Sequence, residues 1–173
     1  ELGKLLFKTK STSHPGLKFF LNEGNLYLSG KINKINQLVF KKFNFSTPNK
    51  IKSQLKKRKN IVGFHTRNIP HKGHEWIHEY GLSKCKNILI QPIIGQFKKG
   101  EYTEEAVLKS NKFLVRSKNK IINNNFRYFF SFINLQPKYG GPREALLHAL
   151  IRKNYGCTHF LVGRDHAGFK NFY

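Results

Sequence analysis

His71-Lys72-Gly73-His74 sets two imidazoles three residues apart, directly after the strand-like run Asn60–His65 and the polar turn Thr66-Arg67-Asn68-Ile69-Pro70. Residues three apart are neighbours on one turn of a helix, so a helix beginning here carries both rings beside its unpaired first amides. That end is also the positive pole of the helix dipole, and an anion placed on it meets amides, dipole and ring N–H groups together. Arg67 and Asn68, immediately upstream, add a planar cationic fork and an amide. These residue types in this order suit the phosphates of a nucleoside triphosphate. The plainer alternative is a solvated helix start with incidental histidines; zinc would need further ligands that the stretch does not supply.

A second cluster, Gly163-Arg164-Asp165-His166-Ala167-Gly168, follows the strand-like run Thr158–Val162. It offers donors for phosphate and an acceptor for a ribose or adenine group, against the alternative of an ordinary polar turn bounded by glycine. A third, Tyr139-Gly140-Gly141-Pro142-Arg143-Glu144, reads as a turn into an amphipathic helix, assigned mainly to packing, with Arg143 available to a phosphate.

The elements that position these clusters follow from periodicity. Strand-like runs at 60–65, 87–94, 126–133 and 158–163 alternate with helical stretches at about 71–83, 103–118 and 142–154. Strand–helix alternation predicts an α/β fold, a parallel sheet with crossover helices. Pro70 lies at the first turn of the first helix, Thr103 caps the second with Glu104 and Glu105 behind it, Pro142 starts the third and Gly156 stops it. Open sheets bind ligands beyond the carboxyl ends of their strands, where both the His65–His74 stretch and the segment after Val162 are expected to emerge into one crevice. Upstream, Leu17–Leu21 and Asn25–Ser29, punctuated by Pro15-Gly16 and Gly30, read as small β structure. The expected organisation is therefore a β-rich tail over 1–45, a polar junction with a short helix over 46–59, and the domain bearing the clusters over 60–173.

A chain of 173 residues with 39% hydrophobic content can bury one core and part of a second. The net charge of +23 arises from 32 Lys and Arg against 9 Asp and Glu, but only seven of the cations are Arg and the lysines are scattered among Asn- and Ile-rich segments. That distribution points to sequence-blind polyanion affinity, not a specific nucleic-acid site, and it favours small anionic substrates. Cys85 and Cys157 lack CxxC spacing and read as buried thiols in a reducing compartment. No apolar run approaches 18 residues and no signal-peptide pattern opens the chain. A cytoplasmic protein with no membrane partner is expected, an organelle being left open, and the lack of any Met points to a fragment.

Together these segments resemble one family. Phe64-His65-Thr66-Arg67-Asn68 followed by His71-Lys72-Gly73-His74, Gly140-Gly141-Pro142-Arg143-Glu144-Ala145, Leu150–Phe160 and Val162–Gly168 resemble ATP sulfurylase (sulfate adenylyltransferase), of the HxGH nucleotidyltransferase superfamily. His14-Pro15-Gly16, Tyr27–Lys31 and Gln91–Gly100 extend the likeness over nearly the whole chain. The resemblance implies a Rossmann-like catalytic domain, incomplete at its C-terminus, preceded by part of a PUA-like β domain. It implies transfer of the adenylyl group of ATP, with Mg2+, to sulfate, giving adenosine 5′-phosphosulfate and pyrophosphate in sulfate assimilation or its reverse. It assigns sulfate to Arg67, His65 and the Ala167 amide, active-site positions to Thr66 and Asn68, transition-state charge to His71 and His74, and the nucleotide to His65–Asn68 and Gly163, Arg164, Asp165 and His166. A homo-oligomer is left open, as is a fused kinase domain. The competing readings are a basic RNA-binding module over 1–59 and a catalytically degenerate relative.

Two departures bear on the chemistry. Relatives most often have Gln at the position of His65, and Asn-Pro-Leu where this chain has Asn68-Ile69-Pro70. The Pro shift moves the stiff point of the turn without changing the spacing from Arg67 to His71. An imidazole's donor count depends on its protonation, so sulfate affinity is expected to vary with pH. Michaelis constants for sulfate measured from about pH 6 to 8.5 should diverge between the native chain and His65→Gln; parallel curves would refute this.

Overall fold

The computed structural model describes residues 1–24, 26–31, 33, 46–95, 100–122 and 125–169. Asn25 in the second expected β segment, 32 and 34–45 in the expected 1–45 β-rich tail, and 96–99 in the Gln91–Gly100 motif therefore lie outside the described residues. The chain divides into two compact units, one of Glu1–Phe45, Pro137–Ala145 and Arg164–Tyr173, the other of Ser46–Gln136 and Leu146–Gly163.

The second unit holds a parallel sheet of β1 (Ile61–Thr66), β2 (Asn87–Ile94), β3 (Arg127–Phe130), β4 (Ile133–Asn134) and β5 (His159–Phe160). Its order is β3-β2-β1-β5, with β4 continuing alongside β2. Every residue of β2 is buried, as expected of a central parallel strand covered on both faces. Alternation sorts the strands onto two cores. Ile61, Leu89, Ile93 and Ile133 face Ile51 and Leu55 of α3 (Pro48–Leu55), with Tyr155 and Cys157 from beyond α6 (Pro142–Asn154). Val62, Phe64, Ile88, Ile90 and Tyr128 face Leu82 and Cys85 of α4 (Lys72–Cys85) and Val115 of α5 (Glu104–Ile121). The expected strand over 126–133 is broken at Ser131–Phe132. Pro92 has no amide to donate to its neighbour, so the ladder lapses beside it and resumes at Ile93 with Ile133.

Three helix ends follow the sequence signals. Thr103 Oγ1 accepts the Ala106 amide at 3.2 Å, α6 begins at Pro142, and Gly156 past its end takes φ 101°, a conformation open to glycine. Pro70 instead lies one residue ahead of the cap of α4, which is His71.

In the first unit the structure corrects the expectation of β structure at Leu17–Leu21. Residues 15–22 form α2 (Pro15–Asn22), following α1 (Leu2–Phe7). Pro15 pre-sets the first helical position, and buried His14 caps the helix by accepting the Leu17 amide on Nδ1 at 3.2 Å. Leu17 and Phe20 lie three apart and meet α1 at Gly3, where the Leu17 side chain fills the space of a side chain. Residues 26–29 form no strand. The short helix expected within 46–59 is α3, whose Ile51 and Leu55 lie in a core of the second unit. Among the described residues no helix is long and apolar enough to cross a membrane.

Arg152 of α6 packs directly on Gly63 in β1. A Cβ there would lie 2.8 Å from Arg152 Cγ and 3.2 Å from Cys157 Sγ, so α6 reaches the sheet only because position 63 is bare. Gly63→Ala should destabilise the protein by about 1–3 kcal/mol, read as a lower urea midpoint; an unchanged midpoint would mean that Arg152 moves aside without loss.

Candidate active site

At the carboxyl end of β1 the chain makes a tight polar turn and enters α4. Thr66 is buried, and its Oγ1 accepts the Asn68 amide at 3.0 Å, which closes the turn around Arg67. The Arg67 guanidinium lies 3.6 Å from the Glu101 carboxylate, each side chain about one-third exposed. An ion pair at that exposure holds the head group in place more than it stabilises the fold.

His71 is both cap and ring donor. Its Nδ1 accepts the Gly73 amide at 3.1 Å, so one of the unpaired amides at the helix start is satisfied by the imidazole itself. With Nδ1 occupied as acceptor, Nε2 is the position left for the ring's own N–H. Gly73 allows this by size: a Cβ there would lie 3.1–3.2 Å from the His71 ring. The His71 and His74 rings stack with centroids 3.8 Å apart. Burial and the neighbouring His71 lower the pKa of His74, opposed by a hydrogen bond with the Ile69 backbone. The two rings therefore sit together as expected, but one of them is turned partly inward to the helix.

Behind them, His78 is fully buried one helical turn further on, edge-on to Phe64 at 4.4 Å and near Tyr128 at 5.9 Å. Neither of its ring nitrogens has a hydrogen-bond partner among the described residues. Burial, then the charges of His74 and Lys118, push its pKa down to about 3.

His65, at the end of β1, stacks on His148 of α6 with centroids 4.1 Å apart. Its strand neighbour in register is Gln91, fully buried in β2. Arg152, also fully buried, donates to the Gln91 carbonyl at 3.2 Å and to the His148 carbonyl at 3.5 Å. Burial lowers its pKa to about 10, which leaves the guanidinium charged at neutral pH. Because β5 runs parallel to β1 and beside it, the chain leaves β5 on the same side of the sheet as the Arg67 turn, and Gly163 is the last residue of that unit.

Arg164, Asp165, His166 and Ala167 belong to the first unit and form a turn closed by the Gly168 amide on the Asp165 carbonyl at 3.1 Å. Arg164 and Asp165 are exposed and His166 is half-buried. Ala167 adopts φ 58°, sparsely populated by residues other than glycine, and its carbonyl accepts the Gly141 amide at 3.0 Å. In the same unit the buried Glu144 carboxylate accepts the Lys138 and Gly140 amides, both at 2.9 Å. Arg143, offered to a phosphate on sequence grounds, donates to the Leu5 carbonyl.

Reasoning from sequence missed His148 and Arg152 of α6 and Asn111 of α5, all three buried. Asn111 alone gives a signal, as a polar residue whose helical neighbours Val107, Leu108, Leu114 and Val115 are apolar.

A family model, ATP-sulfurylase, matches residues 43–173. The chain is 36% identical to a sulfate adenylyltransferase of Pyrococcus abyssi, over all of this chain and 45% of the relative. It is 38% identical to the sulfate adenylyltransferase of Carboxydothermus hydrogenoformans, over all of this chain and 47% of the relative, and 33% identical to that of Ignicoccus hospitalis, over 97% and 44%. The chain thus spans a little under half the length of these relatives. Among solved structures, a hexameric APS kinase from Thiobacillus denitrificans superposes with a TM-score of 0.53 at 19% identity, covering 70% of this chain and 24% of that one, which shows a shared fold.

The buried histidine gives a test of these electrostatics. Above pH 6.5 His78 is neutral whether the chain is folded or not. Between about 6.5 and about 3 the unfolded chain binds a proton that the folded chain refuses, so stability falls as pH drops through that window, by up to about 1.4 kcal/mol per pH unit. His78→Phe should flatten this fall in urea unfolding between pH 6 and 4; an equally steep fall would refute the assignment.

Proposed function

The chain belongs to the ATP-sulfurylase family, and on that premise we propose that the protein of which it forms part transfers the adenylyl group of MgATP to sulfate. One sulfate oxygen bonds to the α-phosphorus as the bond from that phosphorus to the bridging oxygen of the β-phosphate breaks. The products are adenosine 5′-phosphosulfate and pyrophosphate, and the bridging oxygen takes its electron pair away with the leaving group. No covalent intermediate is required, so catalysis rests on alignment and on neutralising charge as it develops.

The observation that carries this reading is the stacked His71–His74 pair at the N-terminus of α4, next to the Arg67 turn at the end of β1. His71 presents Nε2 outward because Nδ1 is held by the Gly73 amide, which suits donation to the oxygen of departing pyrophosphate. His74, whose neutral form burial favours, gains a reason to bind a proton when a triphosphate arrives beside it. The Arg67 fork matches a tetrahedral dianion. Thr66 shapes its turn, and Asn68 and His65 flank it. Gly163, Arg164, Asp165 and His166 are assigned to the nucleotide and the Ala167 amide to sulfate, by the family resemblance. Magnesium enters as part of the substrate: Arg67, His71 and His74 are donors to phosphate oxygens and offer a cation no carboxylate. A cytoplasmic setting and a homo-oligomer complete the proposal.

His71→Asn separates the two jobs of that histidine. Asn is a strong helix cap, so the helix and the unfolding midpoint should survive, while sulfate- and ATP-dependent pyrophosphate release falls by about 10²–10³-fold. Arg67→Ala should abolish sulfate-dependent pyrophosphate release. A His71→Asn protein with full turnover would overturn the role given to the ring.

A further inference from the structure

The turn that carries Arg67 is tied locally by the Asn68 amide on Thr66 Oγ1. A further tie comes from 43 residues away. Asn111 Nδ2 donates to the Asn68 carbonyl at 3.0 Å and to the Val107 carbonyl of its own helix at 2.8 Å. Asn111 is 1% exposed, in the middle of α5, on the face that also buries Val107 and Val115. Helix propensity and burial both favour an apolar residue there. What the carboxamide does that Leu could not is reach out of the helix and hold the backbone next to Arg67.

The segment leading into α5 acts on the same turn from the other end. Glu101 sits 3.6 Å from the Arg67 guanidinium, and two residues on, Thr103 caps the helix. Glu104, in the first turn of α5, accepts the Gly95 amide at 3.1 Å and so ties that helix start to the end of β2. One helix and its approach thus contact both the backbone and the head group of this stretch.

We propose that Asn111 is a positioning residue for oxyanion recognition: from α5 it clamps the Thr66–Asn68 turn so that the planar fork of Arg67 faces the attacking anion. The assignment rests on the function proposed above. A bidentate fork tolerates little misdirection, because the attacking oxygen must also lie in line with the bond that breaks. His71 and His74 stand at the start of α4, and Asn111 bonds to neither. Loss of the clamp should therefore fall on sulfate before it falls on ATP.

The test uses the whole protein and steady-state pyrophosphate release. Asn111→Leu should raise the Michaelis constant for sulfate roughly tenfold, the worth of one well-made hydrogen bond, and leave that for ATP within about twofold. Asn111→Ser covers the case in which Leu fails to fold, since a hydroxyl can still bond to the Val107 carbonyl within the helix but cannot span to Asn68. It should show the same split, and Asn111→Gln should recover part of the loss. An Asn111→Ser protein with both constants unchanged, or with both raised together, overturns the clamp while leaving the function intact. A parent protein with no sulfate-dependent release overturns the function and the clamp with it.

Discussion

Gly63 lacks a side chain in the middle of a buried strand because the stem of Arg152 fills the space. That contact sets where α6 meets the sheet of the second unit. It lets α6 lie close against β1, and it brings a guanidinium beneath the carboxyl ends of β1 and β2, where it bonds to the carbonyls of Gln91 and His148. Burying a cation is expensive unless its N–H groups are used. No carboxylate pairs with Arg152 among the described residues, so backbone carbonyls do that work. The arrangement leaves fixed positive charge inside the protein, close to the end of β1 from which the Arg67 turn departs, and such charge acts through a medium less polarisable than water.

The histidines follow a different logic. Along α4, His71, His74 and His78 pass from an exposed cap to a half-buried ring to a fully buried one. The pKa of His74 is lowered and that of His78 falls to about 3, so the deeper rings favour neutrality. Neutral rings at these two positions do not repel one another and do not compete with the dipole of α4. Phe64 links the last two, edge-on to His74 at 5.4 Å and to His78 at 4.4 Å.

The β1–α4–β2–α5 succession was legible because apolar runs of strand length alternate with capped amphipathic stretches, and each cap uses local chemistry: Thr103 with Glu104 and Glu105 behind it, Pro142, Gly156. What was not legible depended on distance. Leu17-Lys18-Phe19-Phe20-Leu21 is too short for a period to be read, and its helix is settled by His14, a residue seldom counted as a cap. The strand over 126–133 breaks because of Pro92, some forty positions earlier. The division of the chain into units recruits Pro137–Ala145 and Arg164–Tyr173 to the first, which no change in composition announces. Within the site, His71, His74 and the Arg67 turn could be found from spacing alone. Asn111 could not, because its meaning lies in a carbonyl 43 residues away.

The order of the sheet has a consequence for how the chain is made. β1 lies between β2 and β5, and the amide of Ile61 is satisfied by the hydroxyl of Thr158, 97 residues later. Pairing with β2 and β3 can proceed as soon as the intervening helices emerge, but the far edge of β1 stays open until synthesis has passed residue 160. Closing so long a loop is slow compared with the local pairings, and an unpaired parallel edge is open to other chains in the meantime. Lysine-rich segments on either side, Lys56-Lys57-Arg58-Lys59 ahead of β1 and Lys84 and Lys86 at the end of α4, carry like charge at that stage. Mutual repulsion between nascent copies is thus built into the same stretch of sequence that must wait longest for its partner.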